Sequence, residues 1–381
     1  MSNGEKEKFE LIKRLPTEEI LTEEQLLKDI MEKKELRHYI GLEISGMIHL
    51  GTGLVSMGKL ADLQKAGVKT SIFLADMHTM INNKLGGDIE NIRRTAKNYF
   101  SEALKQSLKC VGGDTESTKF ILGSELYEKM GEHYFENVLK VATSMTLSRA
   151  RRSITILGRK QGDDISLAQL VYVPMQVADI YSMDINIAHA GMDQRKAHVV
   201  AIESSGSFGY KPVALHHHLL MGMHITEEQR QNIIKAKNSN ERAEMDDALI
   251  DIKMSKSKPN SAIFIHDTEE EIKAKINGAY CPVGSVEINP IVDIVKYIIW
   301  PNVLRKGEEF SIENMKSGAV SKYNSIKEFE EAYSGSKIHP ADLKNAVANY
   351  LIEILEPARR YFIEGNGRRY LEEMKETKIT R

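Results

Sequence analysis

The chain has 381 residues, 41% hydrophobic and 28% charged, a soluble globular balance with enough apolar material for two or three domain cores. Lys and Arg number 52 against 54 Asp and Glu, a net charge of −2 that excludes a basic DNA-coating protein but not patchwise contact with nucleic acid. Two cysteines, Cys110 and Cys281, exclude a disulfide scaffold and lack zinc-ligand spacing. The charged start Met1–Glu10 has no signal core, and no apolar run nears the roughly 20 residues of a membrane span. A reduced, cytoplasmic setting is expected.

Residues 1–36 read as an N-terminal extension of one or two polar helices. Within it Thr22-Glu23-Glu24-Gln25 has the form of a capping box ahead of Leu26, Leu27 and Ile30. From residue 37 the pattern alternates. His38–Glu43, Thr70–Asp76, Lys119–Leu122, Ile185–His189 and Pro212–His216 read as strands. Between the first two, Leu50, Leu54, Met57 and Leu60/Ala61 share one helical face that Gly67 ends. Such strand–helix–strand units imply an α/β fold, a doubly wound parallel sheet over 37–249. Helical segments at 88–110 and 131–160 interrupt it, so a helical insert is placed at about 125–180. A basic loop and linker follow at 250–265. Residues 266–381 read as a mainly α-helical domain, with one helix opening at Pro340 and turning Leu343, Val347, Leu351 and Ile354 inward.

Four segments carry chemistry. In Tyr39-Ile40-Gly41-Leu42-Glu43-Ile44-Ser45-Gly46-Met47-Ile48-His49-Leu50-Gly51-Thr52 a strand runs through a glycine-bearing loop into a helix start. Free N–H groups there suit a phosphate, and His49 is placed either to donate to it or to serve structure alone. Lys253-Met254-Ser255-Lys256-Ser257-Lys258 is a solvated linker or a second phosphate-binding element. In Tyr172-Val173-Pro174-Met175-Gln176-Val177-Ala178-Asp179, a helix would put Tyr172, Gln176 and Asp179 on one face, where burial demands partners. Arg149-Ala150-Arg151-Arg152, with Arg159 and Lys160, is the densest basic stretch and is either a solvated face or a track for phosphates. His216-His217-His218 alternates faces if extended, so no metal site is expected.

His49-Leu50-Gly51 followed by Lys253–Ser257 resembles the paired signature of class I aminoacyl-tRNA synthetases. Thr52 stands where the family's second histidine is usual, although a hydroxyl can still hydrogen-bond. From Phe9 to Arg360 the chain resembles the archaeal and eukaryotic type of tyrosyl-tRNA synthetase, also through Ala190-Gly191-Met192-Asp193-Gln194-Arg195-Lys196. The resemblance implies a Rossmann-like catalytic domain and a helical anticodon-binding domain. It implies the substrates L-tyrosine, ATP with Mg2+, and tRNA(Tyr), no DNA or membrane partner, and a homodimer formed through the insert. Tyr39 and Asp179 would hold the phenolic hydroxyl, and Tyr172, Gln176 and Gln194 the ammonium group. Gly41, His49, Gly51, Gly191, Lys253, Met254, Ser255, Lys256 and Ser257 would hold ATP, with His49, Thr52, Lys253 and Lys256 acting in catalysis. Phe73–His78 and Gly123–Tyr127 would flank the substrate ring. Arg149, Arg152, Arg195 and Lys196 would meet the acceptor stem, and Phe310, His339 and Asp342 the anticodon.

Three rivals stand beside this expectation. A tryptophanyl-tRNA synthetase shares the architecture but gives no reason for Gln176-Val177-Ala178-Asp179. A non-catalytic RNA-binding relative is mildly favoured by Thr52 and opposed by the intact lysine loop. A small-molecule nucleotidyltransferase gives no reason for the Pro340 helix. The charged stretch 225–249 has no assigned function.

Overall fold

The computed structural model describes residues 1–158, 164–239, 248, 251–255 and 261–377. Its main sheet has six strands. β1 (Thr17–Leu21) pairs antiparallel with β6 (Val213–His217), and the parallel run continues through β5 (Ile187–Gly191), β2 (Arg37–Leu42), β3 (Lys69–Leu74) and β4 (Lys119–Leu122). The five parallel strands are those expected from the apolar runs, each displaced by two residues or fewer at its ends. Their near-continuous hydrophobicity follows from helices covering both faces. The chain builds outward from β2 to β3 and β4, then returns to β5 and β6, so the order reverses between β2 and β5. Ligands bind at such a reversal, beyond the carboxyl ends of the strands.

The extension departs from expectation. Residues 1–36 hold two helices, Asn3–Lys13 and Glu23–Met31, but β1 lies between them and closes the sheet edge. Thr22 makes no capping box. Its backbone is left-handed (φ 60°), and its hydroxyl donates to the carbonyls of Leu21 and Pro212 instead. The expected helix after the signature begins with a π-turn at Gly51–Val55 and runs through Ser56–Lys65. It carries a buried charge cluster. The Lys59 ammonium donates to the carbonyls of Leu11, Ile12 and Arg14, capping the first helix, and stands 3.7 Å from Asp62. Asp62 also pairs with Arg14 and, at 3.3 Å, with Arg305. Burial drops the Lys59 ammonium to about 7.

The C-terminal region is mainly helical, but a hairpin, β7 (Phe310–Glu313) with β8 (Val320–Tyr323), was not expected. Helix Pro340–Arg359 buries Leu343, Val347, Leu351 and Ile354 as the spacing implied. Phe310 is a correction. It is fully buried, 5.4–6.1 Å from the rings of Trp300, Tyr323, Phe329 and Tyr350. A ring so enclosed, edge-on or tilted against its neighbours, cannot reach a base. Residues 261–265, expected as linker, are also core, with Ala262, Ile263, Phe264 and Ile265 buried. One hydrophobic cluster runs unbroken from Ile40 in the sheet to Met374 near the C-terminus.

Candidate active site

At the reversal point lies a cavity of about 590 Å³, within the usual range for a small-ligand site. Its lining includes Tyr39, Gly41, His49, Gly51, Thr52, His78, Tyr172, Gln176, Asp179, Gly191, Gln194, Lys253, Met254 and Ser255. Segments more than 200 residues apart in sequence thus meet in one place, as the resemblance implied. Lys256 and Ser257 lie outside the described residues.

Backbone pairing explains the convergence of the two signature segments. Leu50 donates to the Ile263 carbonyl (3.0 Å) and Ile265 to that of Ile48 (3.1 Å). On the near side of the lysine loop, Gly222 donates to Ile252 and Met254 to Leu220; on its far side Met223 donates to Ser261. Both ends are therefore tied to one short segment beside the signature turn. Lys253 Nζ donates to Asp193 Oδ2 at 2.6 Å. Burial opposes ionisation of Asp193, but this ammonium prevails and holds the carboxyl below its ordinary range. Asp193 was quoted only as part of a segment; its partner lies 60 residues away, beyond the reach of local pattern.

His49 Nδ1 accepts from the Gly51 N–H at 3.1 Å, which leaves the proton of a neutral ring on Nε2. The imidazole folds back over Gly51. A Cβ there would lie 3.0 Å from His49 Cε1 and 3.2 Å from Nδ1. Gly41 makes equal room for the Tyr39 ring, whose hydroxyl would meet a Cβ at 3.2 Å. Gly51→Ala is expected to tilt the imidazole by a few tenths of an ångström, which a crystal structure of the variant would measure; an unmoved ring would refute it.

Beneath the turn lies a row of buried histidines. His38 Nε2 meets His189 Nδ1 at 3.0 Å, His189 Nε2 meets His217 Nδ1 at 2.8 Å, and His217 Nε2 meets Ser56 Oγ at 3.2 Å. Ser56 also donates to the Gly51 carbonyl at 3.3 Å. Burial pushes His38 down to about 3 and His217 to about 4, so both are neutral, and His189 falls in the same direction. The triplet 216–218 does alternate faces. His216 turns the other way, toward His198 and Glu19, and His218 stacks on Tyr297 between Glu18 and Asp293. Burial opposes protonation of His218, yet Asp293 and Glu18 raise it to about 9.

The helix Leu167–Ser182 puts Tyr172, Gln176 and Asp179 on one face. Burial pushes the Asp179 carboxyl up to about 8, with the Asp76 charge adding to the rise and hydrogen bonds from Tyr134 and Tyr127 opposing it. His78 Nε2 stands 3.7 Å from its other oxygen. Tyr172 donates to Glu43 Oε1 at 2.7 Å, a partner sequence reasoning missed. Gln176, which lines the cavity, donates weakly to Gln194 (3.4 Å), and its own carbonyl oxygen is buried with no partner. Tyr127, expected on the ring-flanking wall, is not among the cavity-lining residues.

The basic stations are partly engaged within the chain. Arg149 pairs with Glu203, Arg195 with Glu19 at 2.7 Å, and Lys196 donates to Thr155 at 2.9 Å, whereas Arg152 is exposed and touches Ser148. Arg159 and Lys160 lie outside the described residues. In the helical region His339 caps the Pro340 helix and is exposed. Asp342 is buried, with one oxygen accepting from the Met315 N–H and the other from Asn314, so it anchors the turn of the hairpin. In that turn the Met315 side chain is exposed. Among the described residues no group of three or more His, Cys, Asp or Glu side chains is arranged to hold a metal ion.

Comparison with known proteins places this geometry. The model of the class I tRNA synthetases (W and Y) matches residues 31–356. The tyrosine–tRNA ligase of Thermococcus kodakarensis is 49% identical over 98% of this chain and 99% of its own. The crystal structure of the tyrosyl-tRNA synthetase of Pyrococcus horikoshii with L-tyrosine superposes with a TM-score of 0.88 at 44% identity, covering 98% of this chain and all of that one. A tryptophan-bound tryptophanyl-tRNA synthetase from Encephalitozoon cuniculi shares the fold alone, at 16% identity and a TM-score of 0.59.

Proposed function

We infer the activity from the family, for the chain belongs to the class I tRNA synthetases of the tryptophan and tyrosine group, and within it this chain is a tyrosine–tRNA ligase. The observation that carries the choice is full-length likeness to tyrosine enzymes, joined to a buried carboxylate, Asp179, in the cavity that His49 and Lys253 also line. In the first step a carboxylate oxygen of tyrosine attacks the α-phosphorus of ATP, and pyrophosphate leaves with its bridging electron pair. In the second, a hydroxyl of the tRNA's terminal ribose attacks the tyrosyl carbonyl and AMP leaves. No side chain forms a covalent bond to substrate. Catalysis is positioning and charge stabilisation around a crowded anionic phosphorus.

Tyr39 and Asp179 hold the phenol, and Tyr172, Gln176 and Gln194 surround the ammonium group, with Gln176 offering its unpartnered oxygen. The signature turn with His49 and Thr52 takes the phosphates on one side, and Lys253, Met254 and Ser255 approach from the other, with Lys256 and Ser257 assigned by the motif alone. Gly41, Gly51 and Gly191 let these side chains close on the nucleotide. Magnesium arrives as part of the substrate, bound to the ATP phosphates. For the nucleotide to reach Lys253, that ammonium must turn away from Asp193.

Arg149, Arg152, Arg195 and Lys196 face the acceptor end of tRNA(Tyr), and His339, Met315 and Asp342 the anticodon, with Asp342 using its remaining lone pairs. The insert also carries Phe135, Leu139, Leu147, Leu167 and Val171 exposed on its helices. A second copy of this chain covers them, making a homodimer through residues 125–180. The enzyme works in the cytoplasm.

The decisive experiment is amino-acid-dependent exchange of labelled pyrophosphate into ATP, followed by charging of total tRNA. Exchange is expected with tyrosine, almost none with phenylalanine or tryptophan, and stable tyrosyl-tRNA. Exchange that follows tryptophan would overturn the assignment, and a chain that exchanges but charges no tRNA would be a free nucleotidyltransferase.

A further inference from the structure

We propose that a stacked pair of tyrosines behind the cavity, Tyr127 and Tyr134, sets tyrosine selectivity by holding Asp179 as an oriented hydrogen-bond acceptor. The inference rests on the tyrosine-ligase reading and adds two positioning residues to it.

The geometry is a second layer. Tyr127 lies on the helix Gly123–Met130 and Tyr134 on the next, Glu132–Thr143, with Gly131 at the junction. Their rings stack at 3.9 Å between centroids and 23° between planes, so both hydroxyls reach one point. That point is Asp179 Oδ1, which accepts from Tyr127 at 3.0 Å and from Tyr134 at 2.9 Å. Neither tyrosine is among the described residues lining the cavity, whereas Asp179, Tyr39 and His78 are. With Oδ1 doubly engaged from behind, Oδ2 is left for the cavity side, where His78 is its neighbour at 3.7 Å.

The other groups around this carboxyl push it toward neutrality or contribute no charge. Asp76, on the helix that bears His78, adds like charge, though the Ser124 N–H and Arg93 partly engage it. His78 is itself driven to about 4 by burial and is neutral. Tyr39 on β2 and Tyr172 on Asp179's own helix keep their protons, and Gln176 is uncharged. No cation among the described residues is placed against Asp179. The two hydroxyls are therefore what favours its ionised form, by donating to a charged acceptor that burial would otherwise protonate.

A selectivity device follows. With its rotamer fixed from behind, the carboxylate accepts from a substrate phenol through Oδ2, while phenylalanine leaves Oδ2 buried without a donor. Removing one back-side donor should raise the Asp179 pKa, so that at neutral pH more of the enzyme presents a carboxylic acid free to turn. The loss should therefore be greatest near neutrality and diminish as pH rises and the carboxylate returns.

The test is pyrophosphate exchange by the full chain with Tyr134→Phe and, separately, Tyr127→Phe, each keeping the stacked ring. kcat/KM for tyrosine and for phenylalanine is measured from pH 6 to 9, with the KM for ATP as a check on an intact site. The tyrosine-to-phenylalanine ratio is expected to fall about 10-fold or more at pH 7 and to recover substantially by pH 9. A ratio and pH profile equal to wild type in both variants would overturn the proposal, as would a loss equal at every pH. A wild-type chain inactive with tyrosine would instead overturn the ligase reading.

Discussion

Replacing Asp179 by Ala is expected to lower kcat/KM for tyrosine at least about 10²–10³-fold while leaving phenylalanine almost untouched. Asp179 is fully buried in the cavity wall. Without it the substrate hydroxyl enters an apolar site with one acceptor fewer, and the hydroxyls of Tyr127 and Tyr134 lose the oxygen to which they donate. Hydrogen bonds to a charged group contribute roughly 1.5–3 kcal/mol each, and a stranded buried donor costs a similar amount. Phenylalanine suffers no such loss, because it never engaged the carboxylate. The selectivity ratio should therefore fall by the same factor, about 10²–10³-fold or more. Tyrosine–tRNA ligation is itself the standard example of this logic, with discrimination near 10⁵-fold from hydrogen bonding without editing. Exchange measured with both amino acids decides it, and a variant that activates tyrosine at the wild-type rate removes Asp179 from the phenol site.

The second large effect is on stability. Asp62→Ala should destabilise the fold by about 3–5 kcal/mol and lower the melting temperature by roughly 4–6 °C. Asp62 is the carboxylate among Lys59, Arg14 and Arg305, and it has no exposed surface. Those three side chains come from the signature helix, the N-terminal extension and the helical region. Removing their counter-charge leaves buried cations facing one another, which costs more than the ion pairs contribute. Burial has already brought Lys59 to about 7, so it can shed part of the strain by losing its proton, but the two arginines cannot. Thermal unfolding by circular dichroism is the measurement. A shift below about 2 °C would show that water enters and screens the cluster.

The parallel strands were legible because a doubly covered sheet needs unbroken apolar runs, and 70–76 or 185–189 read as little else. The pocket helix was legible because Tyr172, Gln176 and Asp179 repeat at helical spacing on an otherwise apolar segment. β1 was not. Thr17-Glu18-Glu19-Ile20-Leu21 has a polar start because Glu18 and Glu19 serve His218, His216 and Arg195 across the sheet edge. Nothing local announces such partners. The hairpin β7–β8 was hidden for a related reason, its four-residue strands being too short to show a period. Phe310 was misplaced because an aromatic near a recognition helix reads alike whether it faces a base or the core. The partners of the site residues, Glu43 for Tyr172, Asp193 for Lys253 and the two tyrosines for Asp179, lie 45 to 129 residues away. Periodicity names a face but not what will meet it.

The row from His38 to Ser56 has a direction. Ser56 gives its proton to the Gly51 carbonyl, so its oxygen must accept from His217 Nε2. His217 Nδ1 then accepts from His189, and His189 Nδ1 from His38. The row ends on His38 Nδ1, a lone pair with no donor. The opposite sense would bury an N–H there without an acceptor, at a cost of roughly 1–3 kcal/mol, so one arrangement of protons dominates. Three imidazoles and a hydroxyl thereby form a hydrogen-bonded chain whose donor, positive end lies under the signature turn. The site gains a fixed polarity suited to phosphate without placing a formal charge in its floor, and none of it has to reorient when the nucleotide arrives.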